Sequence, residues 1–171
     1  KIKEVKAYGF VLKGMDKAAL LSTVEMALKL HEANTHARMF ERLFENSLNE
    51  LYIFHPKSLK FVAVNRVARK NLGYTIEELN TMTPLDIKPE FDMERFQNLL
   101  NPLFSREQEQ VLFNTVHRRK DGSLYPVEIN LQIFDYGGEK LCLALVVDLT
   151  ERRAMEEELQ EKEATLSTIM D

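Results

Sequence analysis

The sequence predicts an α+β domain: a five-stranded antiparallel sheet with a helical excursion on one face, flanked by N-terminal and C-terminal linker helices. Three observations carry this expectation. Short apolar runs at residues 51–54 and 61–64 bracket a single turn, as in a hairpin. Residues 65–102 then carry helix caps and apolar residues at three- and four-residue spacing. Beyond Glu109 the period becomes that of strands, in three runs separated by Asp121-Gly122 and Gly137-Gly138.

Composition sets the limits. The 171 residues are 44% hydrophobic and 29% charged with a formal net charge of −4, enough for one core plus appendages. No run approaches the roughly 18 uninterrupted apolar residues of a membrane span, and no signal-peptide core opens the sequence, so a cytoplasmic location is expected. The lone cysteine, Cys142, has no partner for an internal disulfide, and His31, His36, His55 and His117 lack metal-ligand spacing, so no metal is expected. Mild acidity without a Lys/Arg cluster interleaved with aromatics argues against a nucleic-acid surface. The sequence opens on Lys1 and is read as a segment of a longer protein.

Residues 6–12 form a short apolar strand pattern, and Asp16 precedes a helical stripe of Leu20, Val24, Ala27 and Leu28. This unit, with Tyr8-Gly9-Phe10-Val11-Leu12-Lys13, resembles the last strand and helix of a response-regulator receiver domain. The resemblance implies that Lys13 is the family's strand-end lysine, although Gly14 stands where proline is usual. The acidic pocket and phospho-acceptor aspartate of a receiver lie on earlier strands absent from this chain, so no phosphoryl chemistry is expected here. Residues 1–30 are therefore expected to be a receiver-domain C-terminal fragment.

From His31 to His36 the pattern turns polar, and a second amphipathic helix then carries Met39, Phe40, Leu43, Phe44 and Leu48 on one side. Residues 31–39 are read as a linker helix. The apolar stripe needs a partner, either the outer face of the sheet or the same helix of a second chain.

After the first hairpin, Asn65 stands at an N-cap position and Gly73 ends the short helix that follows. Thr75 with Glu78 makes a capping box, because hydroxyl and carboxylate each satisfy an amide that the helix start leaves orphaned. Pro84 is expected to stop that region. Asp92 opens a longer helix with Met93, Phe96, Leu99 and Leu100 on one face, expected to break at Pro102. Asp121-Gly122 supplies the backbone freedom of a tight hairpin. In the returning strand Val127, Ile129, Leu131 and Ile133 alternate with polar residues, whereas the last strand is apolar on both faces and so belongs in the middle of the sheet. Finally, residues 151–171 form an acidic helix with Met155, Leu159, Leu166 and Ile169 on a short a/d seam, Lys162 filling the remaining position.

This order of elements, together with Phe44-Glu45-Asn46-Ser47, Val64-Asn65, Leu72-Gly73-Tyr74-Thr75 and Arg119-Lys120-Asp121-Gly122, resembles a PAS (per-Arnt-Sim) sensory domain over residues 40–150. Asp148-Leu149-Thr150-Glu151-Arg152 is similar to the junction from which such domains hand their signal to a helix. The resemblance implies signal transfer through Asp148, Thr150 and Arg152. Physically, a short acceptor at a strand-to-helix boundary bonds the amides of the helix start and couples helix direction to the sheet. The tail from Glu161 is similar to the helix that introduces a further PAS domain, echoing residues 40–46. Receiver followed by PAS is typical of hybrid two-component sensor histidine kinases, so the resemblance implies phosphorelay signalling with an output domain downstream.

Haem-binding members of the family often take an iron ligand from a histidine on the long helix, and residues 92–101 contain none. Flavin photosensors place a reactive cysteine in the excursion, whereas Cys142 lies in a strand. Haem and flavin are thus disfavoured and no cofactor is predicted. Ile53, Val64, Leu72, Ile87, Phe96, Ile129 and Leu145 are expected to line the concave face, as packed core or around a small apolar ligand. No catalytic residue is assigned, for the chain has no Gly-rich nucleotide loop and no carboxylate cluster, and His31-Glu32 lacks the surroundings of a phospho-acceptor helix. The expected function is a non-catalytic sensor and relay module, a homodimer through its flanking helices and the outer sheet face. The alternatives are a fragment of a histidine kinase or diguanylate cyclase, and a purely dimerising interaction domain without ligand.

Overall fold

A continuous helix, α1 (Lys17–Glu45), opens the part of the chain that the computed structural model describes, residues 17–170. The strand expected at residues 6–12 and Lys13 lie outside the described residues. The polar run at 31–36 does not separate two helices as expected. It contains neither Gly nor Pro, its side chains are exposed, and the Thr35 hydroxyl donates to the His31 carbonyl at 2.9 Å, so it passes as one more solvated stretch of helix. Leu48 lies beyond the helix end. The chain divides into two compact units, one ending at Phe44 and the other beginning at Glu45.

The second unit contains β1 (Glu50–Phe54), β2 (Phe61–Val64), β3 (Val111–Arg118), β4 (Leu124–Tyr136) and β5 (Glu139–Asp148). They form one sheet in the order β2-β1-β5-β4-β3, every neighbouring pair antiparallel. β5 is the central strand, the place that its two apolar faces demand. Asp121-Gly122 and Gly137-Gly138 make the two late turns, with Gly122, Gly137 and Gly138 all at positive φ. A helix α5 (Thr150–Met170) follows β5 directly.

Between β2 and β3 run α2 (Arg66–Leu72), α3 (Ile76–Leu79), a 3-10 turn (Pro84–Ile87) and α4 (Met93–Phe104). Asn65 does more than cap. Its Oδ1 accepts from Ala68 N at 3.1 Å and from Leu51 N at 3.0 Å, while its Nδ2 donates to Asn49 O at 2.9 Å, so one buried side chain ties the excursion to the start of β1. The Thr75–Glu78 capping box forms as expected. Pro84 initiates a 3-10 turn rather than ending structure, a role its fixed φ suits. Pro102 does not end α4, which continues to Phe104 because the lost amide falls near its C-terminus and Leu103 is buried in the core. Among the described residues no helix is long and apolar enough to cross a membrane.

Candidate functional site

The inner face of the sheet and the excursion close on one apolar cluster, which holds five of the seven residues expected to line a concave face: Val64, Leu72, Ile87, Phe96 and Ile129. Ile53 and Leu145 are elsewhere. Ile53 sits between Tyr52 and Phe54, both in the cluster, and Leu145 between Ala144 and Val146, also in it, so strand alternation turns both onto the outer face. Leu145 is 37% exposed there. The cause is plain: β5 and the run at 51–54 in β1 are apolar on both faces, and hydropathy alone does not say which face is inward.

Set into this apolar interior is a polar network that motif reasoning did not find. Glu50, the first residue of β1, is 1% exposed, and its carboxylate accepts from Tyr52 Oη at 2.5 Å, from Tyr125 Oη at 3.0 and 3.2 Å, and from Asn71 Nδ2 at 2.8 Å. Three elements, β1, α2 and β4, thus converge on one buried carboxylate. Burial, and then the charge of Glu50, push the Tyr52 and Tyr125 phenols well above their ordinary values, so both remain donors. The Arg119 guanidinium stacks 4.1 Å from the Tyr125 ring centroid.

His117, on β3, is fully buried, with Nδ1 at 3.4 Å from Tyr125 Oη and 3.8 Å from Glu50 Oε2. The second contact has the geometry of an ion pair, but burial, followed by the nearby Lys88 charge, pulls the imidazole down to about 4. Near neutral pH the ring is therefore uncharged and the contact is dipolar. Since the single Tyr125 hydroxyl proton serves Glu50, the ring best donates from Nδ1–H to the phenol oxygen. Its Nε2 is buried without a hydrogen-bond partner among the described residues. Lys88, just past the 3-10 turn, is 4% exposed with Nζ 6.0 Å from the Phe96 ring centroid. Burial draws its amine down to about 7 against the opposing pull of Glu50 and Cys142. Cys142 is itself buried and its thiol is pushed up to about 12, so it stays protonated and behaves as a small hydrophobe. The available signal was phase: Glu50 stands two positions from the inward Tyr52 and Tyr125 two from the inward Val127, while His117 stands two from the buried Thr115 in the same strand.

At the same end of the sheet, where the central strand runs out, is the corner that the sequence singled out. Asp148 Oδ1 accepts from Thr150 N at 2.8 Å and from Thr150 Oγ1 at 2.5 Å. Leu149 N donates to Pro126 O of β4 at 2.9 Å, and Arg153 N to Leu149 O at 2.9 Å. The first turn of α5 is thus fastened both to the sheet backbone and to the Asp148 carboxylate. Thr150 serves as a donor to Asp148 and not as a cap. Arg152 turns away from the sheet and pairs with Glu156 at 2.9 Å along the helix. Met155, Leu159, Leu166 and Ile169 are 67%, 58%, 59% and 74% exposed, and Lys162 pairs with Glu158 at 2.5 Å. Among the described residues no three His, Cys, Asp or Glu side chains are placed to hold a metal ion.

A five-stranded antiparallel sheet with the excursion helices packed on one face, and a helix leaving directly from its central strand, is the architecture of a sensory domain. Residues 49–151 match the family model for the PAS domain, and the chain belongs to that family. Its domains are in general non-catalytic sensor modules. Over 117 residues the chain is 29% identical to the methyl sulfide methyltransferase-associated sensor of Methanosarcina acetivorans, a match covering 68% of this chain and 12% of that much longer protein. The crystal structure of the PAS domain of an HTR-like protein from Haloarcula marismortui superposes with a TM-score of 0.63 at 26% identity, covering 70% of this chain and 97% of that one. A PAS domain from a two-component sensor histidine kinase is similar in fold, with a TM-score of 0.56 at 18% identity over 68% of this chain and 98% of that one.

Proposed function

We propose that this chain is a non-catalytic sensor and relay module of a multidomain two-component signalling protein. In this reading residues 1–30 end a receiver domain and 31–39 are a linker helix. Residues 40–150 are the sensory domain, and 151–171 form a coiled-coil helix leading to a further module of a hybrid histidine kinase. The module works in the cytoplasm as a homodimer through its flanking helices and outer sheet face, and the relay itself requires neither haem nor flavin.

One observation carries the reading. The central strand ends in Asp148, whose carboxylate holds the first residue of a 21-residue helix, and that helix exposes Met155, Leu159, Leu166 and Ile169 along one seam. Four large apolar side chains in water on a helix with little packing of its own are stabilised by a second copy of the same seam. Any twist or shift of β5 relative to β4 reaches the helix through the Leu149–Pro126 bond and the Asp148 clamp. The membership of the family and the sensor relative support the sensory half of the reading. Val64, Leu72, Ile87, Phe96 and Ile129 are the residues against which a small apolar ligand would pack, displacing α4 or the 3-10 turn from the sheet.

The test is oxidative cross-linking of the chain carrying Leu159→Cys. A parallel seam places the two thiols side by side, and rapid formation of a disulfide-linked dimer through Cys at 159, but not through Glu157→Cys on the opposite face, is the expected result. Equal and slow cross-linking at both positions removes the paired-helix relay.

A further inference from the structure

We propose that helix α2 is a strut between the end of α1 and the β3–β4 hairpin, through which a displacement arriving along α1 is passed into the sheet. In its last step, from the hairpin to α5, the proposal rests on the relay reading above.

Of its seven residues α2 buries only Ala68 and Leu72, too little apolar surface to fix its position by packing alone. Polar bonds from other elements hold it at both ends, on groups that a helix leaves without partners of its own. At its start Glu45, the last residue of α1 and the first of the second unit, accepts from Arg66 N at 2.8 Å. The same carboxylate grips the Arg69 guanidinium by two prongs, Nη1 to Oε1 and Nη2 to Oε2, each at 3.1 Å. Arg69 Nη1 also donates to Val64 O at the end of β2. At the far end of α2 the Asn71 carbonyl accepts from Arg119 Nε at 3.0 Å and the Leu72 carbonyl from Lys120 N at 2.9 Å. Both donors belong to the turn between β3 and β4.

Two parallel bonds between a planar guanidinium and a carboxylate fix direction as well as distance. A helix this short moves as one body, so a shift of Glu45 that pulls on Arg66 and Arg69 reappears at Asn71 and Leu72. There the hairpin must follow or lose two bonds. The Asn71 side chain carries a branch of the same movement to Glu50 at the start of β1. β4 leaves the turn at Leu124, and two residues further on Pro126 O holds Leu149 N, the residue before α5. Three sets of bonds therefore run from the end of one flanking helix to the start of the other: Glu45 to α2, α2 to the hairpin, and β4 to Leu149. The input in this arrangement is the position of the segment that precedes the domain, and the apolar interior need hold no ligand for the module to switch.

The experiment is amide hydrogen exchange on the full chain and on two conservative variants. Glu45→Gln keeps an oxygen for Arg66 N and removes the charge from the fork, and Arg69→Lys keeps the charge and removes the second prong. Each is expected to speed exchange at Lys120 N and Leu149 N at least ~3-fold while the amides of β5 from Leu141 to Val146 keep their natural rates. A merely local role for the pair speeds exchange at residues 66–69 and leaves Lys120 or Leu149 unchanged, and a merely stabilising role speeds it throughout β5; either result overturns the strut. The relay is judged separately by cross-linking at position 159. A chain that cross-links there with Lys120 and Leu149 unmoved by the variants loses the strut and keeps the relay, and one that shows the exchange response without pairing loses the relay and keeps the strut.

Discussion

Two side chains, Glu50 and His117, show at the level of single residues how this fold holds polar groups inside an apolar core. Glu50→Ala strips the acceptor from two buried phenols and the Asn71 amide together, and leaving such donors unpaired is expected to cost about 3 kcal/mol of folding stability in urea denaturation. Glu50→Gln, which retains one acceptor oxygen, should cost about half of that. His117 has the opposite problem, because its charged form is the one the interior rejects. Its value is depressed from 6.5 to about 4 by burial, so between those values the unfolded chain binds a proton that the folded chain refuses. The contribution of this residue is fully present above pH 6.5 and is lost as the pH falls toward 4, on the order of 3 kcal/mol in all. Denaturation midpoints followed over that window should fall steeply for the natural sequence and less steeply for His117→Phe. An identical slope in both proteins places the acid sensitivity elsewhere.

At the scale of elements, the corner between β5 and α5 makes a further expectation concrete. Asp148→Ala removes the acceptor for the Thr150 amide and hydroxyl while leaving the Leu149–Pro126 backbone bond, so the sheet should survive with a loss of about 1 kcal/mol and the first turn of α5 should fray. Amide exchange that speeds up across the whole sheet instead of at residues 150–153 contradicts that division of labour. The same scale shows what local chemistry made readable beforehand. Asn65, the Thr75–Glu78 box and Asp121-Gly122 encode their structure within a few residues, and each element they bound lies where its caps and turns place it. Helix α1 and α4 ran further than expected, since a polar run without a breaker does not stop a helix and a proline near a C-terminus removes only one late bond. The facing of Ile53 and Leu145 was not readable at all, because the run at 51–54 in β1 and the whole of β5 carry apolar residues on both faces, and only the pairing of Tyr52 with Ala144 and Ile129 with Val146 decides it. The polar network escaped for a related reason. Its members lie as far apart in sequence as Glu50 and Tyr125, and it exists only once the sheet has formed.

For the whole molecule the question is how a sheet domain and a solvated helix behave as one device. The inner cluster is closed by side chains from the excursion and β1, β2, β4 and β5, so the sheet domain carries its own stability. Helix α5 contributes no residue to that core, and its apolar positions stand in water: Leu159 is 58% exposed and Ile169 74%. A substitution on this seam therefore separates assembly from folding. Leu159→Glu should leave the denaturation midpoint of the dilute monomer within about 0.5 kcal/mol of the natural chain, because an exposed position on a solvated helix has few contacts to lose. The same change places two carboxylates against each other in a paired seam and should weaken self-association by at least ~10-fold, read by sedimentation over a concentration series. A variant that loses stability as a monomer shows that α5 packs on its own sheet, and then the helix is a lid on the domain and not a rod leading out of it.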